Sequence, residues 1–159
     1  MIKLSRMADY GVVLMSQLAR EPAALRTAPE LAQACGLPSP TVSKVLKLLA
    51  HDGLLVSHRG IKGGYLLGRD AVEISMADVI GALDGPIALT DCIGPDGLVC
   101  EIEALCPTRT NWRRINDALI EALSGVSLAD MALPTVEFER RLPGRAEAAA
   151  GALPEGMSA

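Results

Sequence analysis

A mainly α-helical fold with one small β-hairpin is the class this sequence predicts, and three observations predict it. Apolar residues recur at helical spacing in several short segments that begin and end at recognisable cap residues. Two short β-type runs, Leu54–Ser57 and Gly64–Leu67, flank a turn holding Arg59, Gly60, Lys62 and Gly63. A longer helical stripe then returns between Pro107 and Ser124.

The first helix is expected over residues 6–20, where Met7, Tyr10, Val13, Leu14, Gln17 and Leu18 keep a period near 3.6 and Pro22 forbids continuation. The second opens at "TAPE": Thr27 caps the free amides, Glu30 reaches back, and Pro29 is tolerated in the first turn. It runs through Leu31 and Cys35 and stops at Gly36. The third opens at "SPTVSKVLKLLAHDG", with Ser39 as expected N-cap, Pro40 as first helical residue, and Val42, Val45, Leu46 and Leu49 as the stripe to be buried. Thr41, Ser43, Lys44 and Lys47 fall on its other face, and Gly53 ends it. Two short helices across a tight glycine turn, followed by a basic hairpin, describe a winged helix-turn-helix.

Beyond the hairpin, Ser75 with Asp78 three residues on caps a short helix to Leu83, which "DGP" terminates. The helix from about Pro107 to Ser124 carries Trp112, Ile115, Leu119, Ile120 and Leu123 on one stripe. Such a stripe packs on its own domain or pairs with the same helix of a second chain, and the second use is favoured here because the winged unit has its own core. Ser127–Met131 add a last turn. The expected organisation is a winged helix-turn-helix over residues 1–85, a cysteine loop and dimerisation helix over 86–133, and a disordered Pro/Gly/Ala-rich tail over 134–159.

Length and composition narrow the function. The 159 residues suit about one domain, half of them apolar but only four aromatic, so the core is built from Leu, Ala, Val and Ile. No apolar run approaches the roughly 18 residues of a membrane span. Asp9 breaks the N-terminal apolar stretch and no cleavage site follows, so a cytoplasmic location is expected. Residues 1–69 hold nine basic against four acidic groups, a balance of +5; residues 70–159 hold six against fifteen, a balance of −9. A basic half of this kind suits double-stranded DNA. Ser39, Pro40, Thr41, Ser43, Lys44 and Lys47 lie on the first turns of the third helix, where base edges and phosphates are met, and Arg59 and Lys62 at the hairpin tip can reach a minor groove. The sequence has no Ser/His/Asp arrangement and no phosphate-cradling glycine loop, so no enzyme, membrane or small-molecule role is expected.

The stretch "CIGPDGLVCEIEALC" puts Cys92, Cys100 and Cys106 within fifteen residues, separated by seven and five others. Reduced thiols clustered in a cytosolic chain are metal ligands or redox sensors more often than disulfides. Zinc knuckles use closer pairs, with two to four residues between ligands. A zinc site, a thiol-redox sensor with a spare thiol, and an iron–sulfur site all stay open, the last fitting three widely spaced thiolates best. Cys35, on the stripe of the second helix, reads as a small buried apolar residue.

From residue 1 to about 133 the chain resembles the Rrf-type winged-helix regulators, the group containing IscR, NsrR and RirA, and within it the branch that regulates the SUF iron–sulfur assembly operon. The segments carrying the resemblance are "LSRMADYG", "LPSPTVSKVLKLLAHDGLLVSHRGIKGGYLL", "ISMADVIGALDGPIALTDC" and "NWRRINDAL". The resemblance implies a homodimer joined through the long helices, promoter DNA bound by the helix-turn-helix and wing, and an iron–sulfur cluster, 2Fe-2S or 4Fe-4S, on Cys92, Cys100 and Cys106. Some members place a histidine ligand three residues after the last cysteine, where this chain has Arg109. Others use an acid early in the first helix, which corresponds here to Asp9, while Asp91, Glu101 and Glu103 stand beside the thiols as competitors.

Overall fold

The computed structural model describes residues 3–60, 63–90, 93 and 106–133. Cys92, Cys100, Lys62, Asp91, Glu101, Glu103 and the expected tail at 134–159 lie outside the described residues. In chain order the described elements are α1 (Arg6–Arg20), α2 (Ala28–Cys35), α3 (Ser39–His51), β1 (Leu55–His58), β2 (Gly64–Leu67), α4 (Met76–Asp84), α5 (Arg109–Ser124) and α6 (Leu128–Ala132).

Most boundaries follow from hydrogen-bond chemistry at the helix ends. Ser5 caps α1, its hydroxyl accepting from the amides of Met7 and Ala8 at 3.1 Å each. Thr27–Glu30, Ser75–Asp78 and Ser127–Asp130 each form a reciprocal capping box at the start of α2, α4 and α6. Gly36 closes α2 with φ of 65°, a conformation that costs other residues a steric penalty. The start of α3 differs from the sequence expectation. Pro38, not Ser39, is the N-cap: its carbonyl accepts the Val42 amide at 3.0 Å, so the helix gains a bond by starting one residue earlier. Pro has no side-chain acceptor, and the first turn of α3 has no side-chain cap.

The expected hairpin forms, with β1 antiparallel to β2 and Leu55 paired with Leu67, Val56 with Leu66, Ser57 with Tyr65 and His58 with Gly64. β1 starts one residue later than expected because the Leu54 amide is taken by the Leu49 carbonyl at the end of α3. Arg26 adds a third partner to the hairpin, exchanging two backbone hydrogen bonds with Tyr65 at 2.8 and 3.2 Å. The wing therefore grows from the chain between α1 and α2 and is not an isolated ribbon. At its tip a Cβ on Gly63 would collide with the His58 carbonyl, so glycine is required there.

One apolar core joins all of this. Leu14, Met15 and Leu18 of α1, Leu31 of α2, Val42, Val45, Leu46 and Leu49 of α3, Ile74, Val79 of α4 and Leu128 of α6 are all buried in it. Gly11 lets α1 and α4 approach closely, since a Cβ there would run into the Leu83 side chain. The C-terminal part is stitched back through main-chain bonds: Leu128 donates to Ile74 at 2.7 Å, Met76 to Val126 at 2.9 Å and Ala129 to Ala71 at 3.0 Å. Thus α6 belongs to the same core as the winged unit, and α5 bridges from the thiol stretch to it.

Candidate nucleic-acid interface and thiol segment

α3 is oriented by its apolar stripe. Val42, Val45, Leu46 and Leu49 are fully buried, so the opposite face is turned outward by geometry alone. Ser39, Pro40, Lys44 and Lys47 are exposed, and Thr41 and Ser43 are half-buried on the flanks of that face. The first turn of α3 has no side-chain cap, and Pro40 within it has no amide to satisfy. Arg59 is exposed at the end of β1, next to Gly60 with φ of 114°. Arg26, by contrast, is paired with Glu21 and serves the base of the wing. The structure therefore gathers the sequence-predicted basic and hydroxyl residues that it describes onto one outward helix face and one hairpin tip.

Of the thiol trio, Cys106 is the member among the described residues. Cys106 is free and half-buried, just before α5. Thr108 is the N-cap of α5 yet makes no side-chain cap bond to the helix. Its hydroxyl lies 3.4 Å from the Cys106 sulfur instead. Hydrogen bonds from the Thr108 side chain, the Thr108 backbone and then the Arg109 backbone hold the Cys106 thiol below its usual pKa. A lowered pKa eases loss of the proton, which iron–sulfur and zinc sites both require of a cysteine ligand. Cys35 goes the other way: burial in the core raises its pKa, in keeping with a packing role. Asp9 is exposed on the first turn of α1. Among the described residues no group of three or more His, Cys, Asp or Glu is assembled for a metal; two of the three clustered cysteines fall outside that set.

The expected stripe on α5 divides. Leu123 packs on the core, Leu119 and Ile120 are half-buried, and Trp112 and Ile115 remain 40% and 51% exposed. Ile115 lines a shallow cavity of about 370 Å³ with Asn111, Arg114 and Ala118. The residue of α5 that is buried is Asn116, at 3% exposure, and sequence reasoning passed over it. Its side chain accepts from the Leu89 amide at 3.0 Å and donates to the Ile87 carbonyl at 3.1 Å. An Asn one position from a stripe residue was the available signal, but only its distant main-chain partners distinguish it from a surface polar group.

A capped helix pair, an outward basic recognition helix, a hairpin wing and a thiol-led long helix occupy one continuous segment, and the Rrf2 family model, described as an iron-dependent transcriptional regulator, matches residues 4–133. The chain belongs to the Rrf2 family. A candidate HTH-type transcriptional regulator of Mycobacterium tuberculosis (strain CDC 1551 / Oshkosh) is 36% identical over 132 residues, covering 82% of this chain and 81% of the relative. Among solved structures, CymR of B. subtilis, described as the global cysteine regulator of that organism, superposes with a TM-score of 0.68 at 32% identity, covering 83% of this chain and 97% of CymR. T. potens IscR gives a TM-score of 0.65 at 26% identity, covering 89% and 92%. These Rrf2 relatives are regulators of transcription, and the chain is a DNA-binding regulator, not an enzyme. No described helix is long and apolar enough to cross a membrane.

Proposed function

We propose that this Rrf2 regulator is an iron–sulfur-cluster-dependent switch, acting as a homodimer on promoters of SUF assembly or iron-homeostasis genes. The observation that carries the reading is the trio of thiols, Cys92, Cys100 and Cys106, whose last member stands at the head of α5 with its sulfur 3.4 Å from the Thr108 hydroxyl. Cys92, Cys100 and Cys106 would supply the sulfur ligands, and Asp9 of the second chain the fourth, a hard carboxylate that exchanges more readily than a thiolate. When bound, the cluster supplies a centre whose iron content and redox state follow the cell's iron and oxidant supply.

The chain's own residues do the rest. α3 enters the major groove, with Ser39, Pro40, Thr41 and Ser43 meeting base edges and phosphates while Lys44 and Lys47 neutralise phosphate charge. Arg59 and Lys62 at the wing tip reach an adjacent minor groove. Trp112, Ile115, Leu119, Ile120 and Leu123 supply the dimer contact, of which Trp112 and Ile115 are the most open in the single chain. Asp9 rides on α1, which packs directly on α3, so releasing Asp9 changes the footing of the recognition helix. Two half-sites one helical turn apart tolerate little such movement, and a coupling of roughly 1–3 kcal/mol makes a useful switch.

The test is an anaerobic preparation assayed for visible absorbance, iron and acid-labile sulfide, beside Cys92→Ala, Cys100→Ala and Cys106→Ala. Loss of colour in each variant supports the reading; retention of iron and sulfide in all three overturns it. A second reading, a thiol-redox regulator without a cluster, is favoured by the lowered Cys106 pKa and by the fold likeness to CymR. It expects colourless protein whose promoter affinity follows thiol oxidation.

A further inference from the structure

Asn116 is the one buried polar side chain among the described residues, and it spends both ends of its amide on main chain 27 and 29 residues away. Burying an amide costs its hydration, so an apolar residue would serve mere packing better than an asparagine. What asparagine adds is direction: one donor and one acceptor seize the Ile87 carbonyl and the Leu89 amide and fix an irregular stretch against α5. That stretch is the chain leaving α4. Its upstream end is fixed too, because Asp84, the last residue of α4, takes the Ser5 hydroxyl at 2.5 Å and the Ser5 amide at 3.3 Å.

Two fixed points thus lie between Cys106 and the DNA-binding helices. Cys106 sits at the head of α5, and Asn116 lies seven positions along from Arg109, roughly 10 Å down the same helix at 1.5 Å per residue. A rigid helix carries a displacement of its head to that point. From Asn116 the connection passes through residues 87–89 to α4, and α4 packs on both α1 and α3. Leu123 also packs on the core, an apolar contact without directional bonds, whereas the amide clamp cannot shift without losing both of its hydrogen bonds.

Resting on the thiol-switch reading above, we propose that Asn116 is the positioning residue that couples the state of the thiol segment to the recognition helix, by locking α5 to the main chain at the exit of α4. The experiment uses the full chain and the duplex best enriched by it from a random-sequence pool. Binding is measured for anaerobically reconstituted and apo protein of the wild type, Asn116→Ala and Asn116→Asp, together with hydrogen exchange of the apo proteins. Asn116→Ala is expected to speed exchange at the Leu89 amide about tenfold. It is expected to leave the apo affinity within about threefold of wild type and bring the ratio of reconstituted to apo affinity close to one. Asn116→Asp, which keeps the acceptor for Leu89 and loses the donor to Ile87, should fall between and covers the case in which the alanine variant fails to fold. A wild-type ratio that survives in a folded Asn116 variant, or a Leu89 amide that exchanges no faster, overturns this inference alone. A wild type that is colourless after reconstitution and indifferent to its thiols removes the switch reading itself, and the inference with it.

Discussion

In α3 each position of the apolar stripe is at 0% exposure, whereas in α5 Trp112 and Ile115 stand 40% and 51% exposed and the buried position is an asparagine. Both helices are amphipathic, of similar length, and joined to one core. They differ in how they are finished. The winged unit uses its stripes internally and turns its charge outward; α5 is anchored at its middle through Asn116 and near its end through Leu123, and leaves Trp112 and Ile115 uncovered. Trp112 and Ile115 are therefore the positions of the α5 stripe that the chain's own core leaves open. Substitutions in the two helices should accordingly part: in the α3 stripe they cost stability, and on the open turns of α5 they do not.

That contrast can be broken at several points. The largest effect belongs to the closed half: Leu46→Ala should lose about 2–5 kcal/mol of stability, read from urea or thermal unfolding, because the site sits in a packed core. Next come the outward charges of α3. Lys44→Ala and Lys47→Ala should each weaken promoter binding and reduce the slope of log affinity against log salt by about one, without lowering the melting temperature. A binding constant indifferent to salt would sink the assignment of this face. Removing a cap should cost less than removing core: Ser75→Ala is expected to destabilise by about 1 kcal/mol, since the Asp78 amide then loses its acceptor.

In the open half the same kind of substitution should hardly touch folding. Ile115→Asp is expected to change the stability of the single chain by less than about 0.5 kcal/mol, because the residue is half exposed. It should nevertheless shift sedimentation from dimer toward monomer. A dimer unmoved by Ile115→Asp and Trp112→Ala together would place the subunit contact elsewhere. The smallest effect is local. Thr108→Val removes the leading cause of the low Cys106 pKa, so alkylation of Cys106 should require higher pH than in the wild type. Cys35, whose pKa burial raises, should react at still higher pH in both proteins.

Much of the winged unit was legible in the sequence because its determinants are local. The Thr27–Glu30 and Ser75–Asp78 boxes, Gly36 and Pro22 act within a few residues, and the stripe Val42, Val45, Leu46 and Leu49 is read from spacing alone. The start of α3 was misplaced by one residue because a backbone bond from Val42 to Pro38 outweighed the capping preference of Ser39. The third partner of the wing, Arg26, could not be read, since its pairing with Tyr65 spans 39 positions and leaves no periodic trace. The thiol trio was visible as spacing, whereas the bond that tunes Cys106 depends on where one hydroxyl at a helix cap points.

By itself the sequence determined the helices, the hairpin, the basic face and the thiol cluster, because caps, turns and helical periods are written in neighbouring residues. Only the tertiary structure decided which part of the α5 stripe is covered and that Asn116 is an anchor. Both depend on contacts between segments dozens of positions apart, and such contacts are set by how the helices pack around one core and not by any local preference.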